Sequence, residues 1–172
     1  MILYDLINLK KIRKALLYAL VLLVTLSLQH TFFGRVSLLG VKAMFVPVLA
    51  VAIGLLEGGM WGGVFGLLAG LFCDIASSDT VVTYTILLAA EGFLAGLLGA
   101  VLVNRRFSAY MILSVLALAL TALVRIVPLW VYQGASLTAL LRTGGLQTLW
   151  SIPFAVPAYF ACKAIAGRER ED

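Results

Sequence analysis

Apolar residues run in long blocks along this chain, broken by short polar or basic stretches rather than alternating with them. Blocks of this kind predict membrane-crossing helices, each needing about 20 apolar residues. Six are predicted, at about residues 15–33, 41–56, 60–75, 81–103, 107–132 and 146–165. The head before the first block, ILYDLINLKKIRK, mixes leucine and isoleucine with lysine and arginine, as an interfacial helical turn does. The second block is short and contains Pro47, which predicts a kink within its helix. Pro128 is expected to bend the end of the fifth. The segment GASLTALLRTGG is too short to span, and Leu137, Leu140 and Leu141 at helical spacing suggest one or two turns lying at the interface.

Composition fixes the class. The 172 residues are 63% hydrophobic and 12% charged, against about half and a quarter in soluble domains. The expected fold is an all-α polytopic membrane protein, a bundle of about six transmembrane helices forming a single domain over residues 1–172. The run from residue 15 to 33 is longer than a signal-peptide core and reads as a retained first span.

Charge orients the bundle. Lys10, Lys11, Arg13, Lys14, Arg105, Arg106, Lys163, Arg168 and Arg170 fall on one side, and Arg35, Lys42 and Arg142 on the other. This asymmetry places both termini in the cytoplasm. The expected location is a bacterial cytoplasmic membrane, with Glu57 at an inner turn and Asp74 and Asp79 outside. The net charge of +5 is thus accounted for at helix ends, with no implication of nucleic acid.

Gly58, Gly62, Gly66 and Gly70 recur every four residues, and the series ends on Asp74. Glycine weakens a helix by roughly 1 kcal/mol relative to alanine. In lipid, small residues in register let two backbones approach closely. The fourth span repeats the theme with Gly92 and Gly96. These glycines and Asp74 are the candidate helix-packing or partner-binding residues. Steps of four drift about 40° each around a helix. The stripe is therefore expected to pack one end against the fourth span and turn its other end, with Asp74 as a polar rim, to a different neighbour.

Ionisable residues inside apolar spans are rare and find partners. Glu91 and Arg125 fall at similar depth in the fourth and fifth spans, so an intramembrane pair is expected, with Asp74 as the competing partner for Arg125. The other reading is a polar path for an ion or substrate. Thr25, Ser27, Gln29, Gln147 and Thr148 join a small outward cavity on one view and make interhelical hydrogen bonds on the other. One histidine, His30, and two cysteines near opposite membrane faces, Cys73 and Cys162, do not build a typical metal site. Nucleophile-elbow, zinc-protease and phosphate-loop motifs are missing from the sequence. The chain is expected to be neither an enzyme nor a cofactor-binding protein.

The run GLLEGGMWGGVFGLLAGLFCDIASSDTVVTYTILLAAEGFLAGLLGAVLVNRR resembles the core of the MreD family of rod-shape-determining membrane proteins. The matching positions are Gly62 or Gly63, Gly66, Gly70, Leu71 and Asp74, then Gly92, Gly96 and Leu97. The chain differs from the family pattern in its outer turn, ASSDTVVT, and in the charge at Glu91. The resemblance implies a non-catalytic scaffold of the cell-wall elongation complex, acting through MreC and possibly MreB, RodA and a class B penicillin-binding protein. It also implies a fold similar to the S components of energy-coupling-factor transporters. A substrate-binding S component of a vitamin transporter is the alternative function.

Overall fold

A computed structural model describes residues 2–31, 44–77, 83–101, 107–133 and 136–167. Helices account for nearly all of them: α1 (Ile2–Thr31), α2 (Val46–Glu57), α3 (Gly59–Ser77), α4 (Thr83–Val101), α5 (Phe107–Gln133), α6 (Leu137–Ser151) and α7 (Ala155–Gly167). A single 3-10 turn, Ile152–Phe154, joins α6 to α7. No strand occurs among the described residues. Five stretches are long and apolar enough to cross a membrane: Lys11–Gln29, Gly59–Ala76, Thr83–Ala100, Phe107–Val124 and Leu140–Gly167. The chain is an all-α polytopic membrane protein.

The second predicted span is different in kind. α2 has 12 residues, a length of about 18 Å. That is well short of the ~30 Å hydrocarbon core. Every residue from Val46 to Leu55 is buried. A helix that is apolar all round belongs inside, and α2 contacts α1, α3, α4, α5 and α7. It is the core of the molecule, with the longer helices arranged around it.

Two sequence expectations are corrected. Pro47 lies in the first turn of α2, not mid-helix. The missing N–H of proline leaves nothing unpaired there, and its fixed φ suits helix entry. The head is helical and leads directly into the first span, since α1 runs unbroken from Ile2. The segment around residues 134–145 is no isolated interfacial turn. From Leu137 it is helix, and α6 passes through Gly144 and Gly145 and continues across the 3-10 turn into α7. Pro153 lies within that turn, where it has no N–H to continue the hydrogen bonding of α6, and the α-helix gives way to 3-10 there.

Two polar clusters mark the ends of the bundle. At one end the Tyr18 hydroxyl donates to Glu57 Oε1 at 2.6 Å and lies 3.4 Å from the Cys162 carbonyl oxygen. At the other, the Phe45 amide donates to Gln29 Oε1 at 3.1 Å and the Met44 amide donates to Ser151 Oγ at 3.0 Å. The early part of α1, the end of α2 and the late part of α7 therefore share one end of the molecule. Cys73 and Cys162 are both buried, in packing positions on α3 and α7.

Candidate functional site

The glycine ladder begins with a turn. Gly58 takes φ +107°, a backbone region that side-chain-bearing residues rarely enter. Its amide donates to the Gly54 carbonyl at 2.8 Å, and its own carbonyl accepts from the Gly62 amide at 3.0 Å. Gly58 thus ends α2 and reverses the chain into α3. It is a turn residue, and a Cβ added there would meet nothing within 4 Å.

The remaining rungs all face α4. A Cβ on Gly62 would strike the Gly92 carbonyl oxygen, one on Gly66 the Leu88 carbonyl oxygen, and one on Gly70 the Thr85 backbone. From the α4 side, a Cβ on Gly92 would strike the Gly62 carbonyl oxygen, and one on Gly96 the Gly59 backbone. Each collision is with main chain, which has no rotamer by which to yield. Gly63, one residue off the row, would meet only ordinary contacts at 3.5 Å and beyond. The two helices pack antiparallel along a shared glycine seam.

Gly54 completes this seam and was not singled out from the sequence. A Cβ on it would strike the Gly92 carbonyl oxygen, so α2, α3 and α4 converge at Gly54, Gly62 and Gly92. A signal was present: Gly54 extends the four-residue spacing by one step, to 54, 58, 62, 66 and 70.

Asp74 closes the seam. Its Oδ1 accepts from the Tyr84 amide at 3.0 Å, and its Oδ2 accepts from the Thr85 amide at 2.8 Å and the Thr85 hydroxyl at 2.6 Å. Those amides belong to the first turn of α4, whose N–H groups have no partner within the helix. A carboxylate there satisfies them and lies at the positive end of the helix dipole. Asp74 is 6% exposed. The expectation that the outer end of the stripe faces a separate neighbour is corrected: from Gly62 to Asp74 the whole row meets α4. Rows at i, i+4 run obliquely across a helix surface, and an inclined partner follows such a row.

Glu91 lies on the opposite side of α4 from solvent, 5% exposed, and its Oε1 accepts from the Thr121 hydroxyl of α5 at 3.0 Å. Its Oε2 has no hydrogen-bond partner among the described residues. The expected partner, Arg125, is placed on α5 one turn beyond Thr121, and its side chain lies outside the described residues. Thr121 could have been anticipated, since it stands four residues before Arg125 in the sequence.

By sequence, Lys14 is an orienting charge and Glu57 a turn residue. In the structure Lys14 Nζ and Glu57 Oε2 form an ion pair at 2.7 Å, with side chains 11% and 9% exposed. Tyr18 shares Glu57, and its ring packs edge-on against Phe65, centroids 5.8 Å apart, with Trp61 stacked beyond at 5.9 Å. These contacts tie α1 to α2 and α3. The common side assigned to Lys14 and Glu57 by charge was the available signal. Among the other polar candidates, Thr25 and Thr148 donate to carbonyls within their own helices, at 2.7 and 3.0 Å.

A groove of about 320 Å³ runs between α1 and α7. Leu20, Val24 and Leu28 line one wall, Ala158 and Ala161 the other, with Phe45 and Phe154 at one end. The two rings lie 4.6 Å apart. The described residues hold no cluster of three histidine, cysteine or acidic side chains that would bind a metal. Asp74, Glu57, Gln29 and Thr121 link one helix to another through the bonds described above or at the ends of the bundle. Comparison with protein-family models, curated proteins and solved structures gave no match.

Proposed function

We propose that this chain is a non-catalytic membrane scaffold of the bacterial cell-wall elongation complex, similar to MreD. Both termini face the cytoplasm, and the partners are MreC and, through it, MreB, RodA and a class B penicillin-binding protein. The observation that carries the reading is the joint role of the motif residues. Six positions of the MreD resemblance, Gly62, Gly66, Gly70, Asp74, Gly92 and Gly96, lie together in one interlocked hairpin, while its Leu71 and Leu97 are 42% and 44% exposed. A row of glycines and an acid that lock two helices together fits a protein that presents a fixed surface to partners.

The glycine seam is itself consumed by α3–α4 packing. Leucine at Gly66 or Gly70 would break the hairpin, so these positions cannot report on a partner interface. The test is depletion of the protein in its host. Loss of rod shape, restored by the wild-type chain, and co-purification with MreC are expected. Unchanged shape with a new vitamin requirement would replace the scaffold with the S-component alternative.

A further inference from the structure

Asp74, Glu57 and Glu91 are all withdrawn from the surface, and of these three only Glu91 is left incomplete. Both oxygens of Asp74 are occupied, by the Tyr84 and Thr85 amides and the Thr85 hydroxyl. Both oxygens of Glu57 are occupied as well, by the Tyr18 hydroxyl and the Lys14 ammonium. Glu91 Oε1 accepts from the Thr121 hydroxyl, a neutral donor, and Oε2 has no hydrogen-bond partner among the described residues. No basic side chain among the described residues pairs with it.

The surroundings of Glu91 are apolar. It stands about 12 Å from the start of α4 and about 15 Å from its end, near the middle of a ~30 Å hydrocarbon core. One turn to either side on α4 are Leu88 and Ala95, both buried. Ala117, Leu118 and Ala122 flank Thr121 on α5 and are buried too. Of the ionisable groups on the helices packed against α4, Glu57 and Asp74 are engaged as above. The Tyr110 hydroxyl lies against the Val48 and Ala155 carbonyls, and Cys73 is part of the apolar core. Arg125, one turn beyond Thr121 on α5, is the one cation among them. A carboxylate at mid-membrane with a single neutral donor keeps most of the cost of burying its charge. A neutral carboxylic acid does not, and its two oxygens then have distinct roles. The oxygen that accepts from Thr121 is the carbonyl, and the unpartnered one is the hydroxyl.

We propose that Glu91 is an intramembrane proton-binding site, holding a proton on Oε2 at neutral pH while Oε1 stays bonded to Thr121. The link between α4 and α5 is then a neutral hydrogen bond, and loss of the proton places a charge within it. The inference rests on the membrane fold and not on the scaffold function, so either can fail alone.

The test is infrared difference spectroscopy of the full chain in lipid vesicles at neutral pH. Wild type minus Glu91→Gln should show the carbonyl stretch of a protonated carboxylic acid and no carboxylate stretch. Thr121→Val should move that band to higher frequency, because the carbonyl loses its hydrogen bond. Thr121→Ser keeps the donor and should leave the band where it is. Arg125→Gln should leave it unchanged. The Thr121 and Arg125 variants read the same band directly, so the assignment is tested even if Glu91→Gln does not fold.

A carboxylate stretch lost in Glu91→Gln, with no acid band in the wild type, would show an ionised Glu91 and overturn the proposal. An acid band that appears only in Arg125→Gln would do the same, by making Arg125 the partner of Oε2. An acid band indifferent to Thr121→Val would place the proton on another residue and end the assignment to Glu91.

Discussion

Adjacent glycines in this chain have opposite roles, and Gly63 and Gly66 show why. Both stand on α3, but only Gly66 lies on the row that touches the α4 main chain. Alanine at Gly63 relieves the helix of a glycine, worth about 1 kcal/mol in a helix interior, and meets only ordinary contacts. Gly66→Ala places its methyl against the Leu88 carbonyl and must push α4 away. Thermal unfolding in detergent should therefore show Gly63→Ala at or above the wild-type midpoint and Gly66→Ala clearly below it. Equal midpoints would mean that the seam is looser than its geometry. Gly58 illustrates a third role, since its positive φ is a turn requirement unrelated to packing. Gly58 and Gly66 share the four-residue spacing, so spacing alone does not separate the turn from the seam.

At the level of elements, the seam and the acid at its end act together on α3 and α4. Glycine contacts bring the two backbones close, and Asp74 holds the start of α4 against the end of α3. Replacing a helix-capping side chain by alanine weakens a protein by about 0.5–2 kcal/mol. Asp74→Ala should fall at the upper end, because its oxygens serve three buried or half-buried donors. Asp74→Asn retains an acceptor and should lose less. The readout is the unfolding midpoint of each variant, and an order reversed between them would show that charge, not acceptance of the α4 amides, matters there. α2 is the other element whose role depends on its neighbours. Its sequence reads as a short span, but at about 18 Å and fully surrounded it works as a core.

For the whole molecule, the end clusters set the arrangement. Lys14, Tyr18, Glu57 and the Cys162 carbonyl meet at one end; Gln29, Phe45, Met44 and Ser151 meet at the other. Single cysteines at Lys11 and Gly167, both exposed, should then react with a membrane-impermeant thiol reagent from the same side. With the proposed orientation that side is reached in inverted vesicles and not in intact cells. Labelling of the two positions from opposite sides would contradict the bundle. Cys73 and Cys162 are buried and should contribute little background.

Hydropathy by itself determined the class, the approximate place of each helix and the candidate residues, because the cost of exposing backbone polar groups to lipid leaves helices as the only structure open to such apolar runs. Gly62, Gly66, Gly70, Gly92, Gly96 and Asp74 were legible for the same reason: glycine and acid are unfavourable in an apolar helix and call for an explanation. Only the tertiary structure decided what each one touches. It turned Pro47 from a kink into a helix start, carried α6 through two glycines into α7, and paired Lys14 with Glu57. It also set the whole stripe from Gly62 to Asp74 against α4. The drift of a four-residue row looks like divergence on an isolated straight helix. An oblique partner makes it a continuous contact, and the angle of that partner is a property of two helices together.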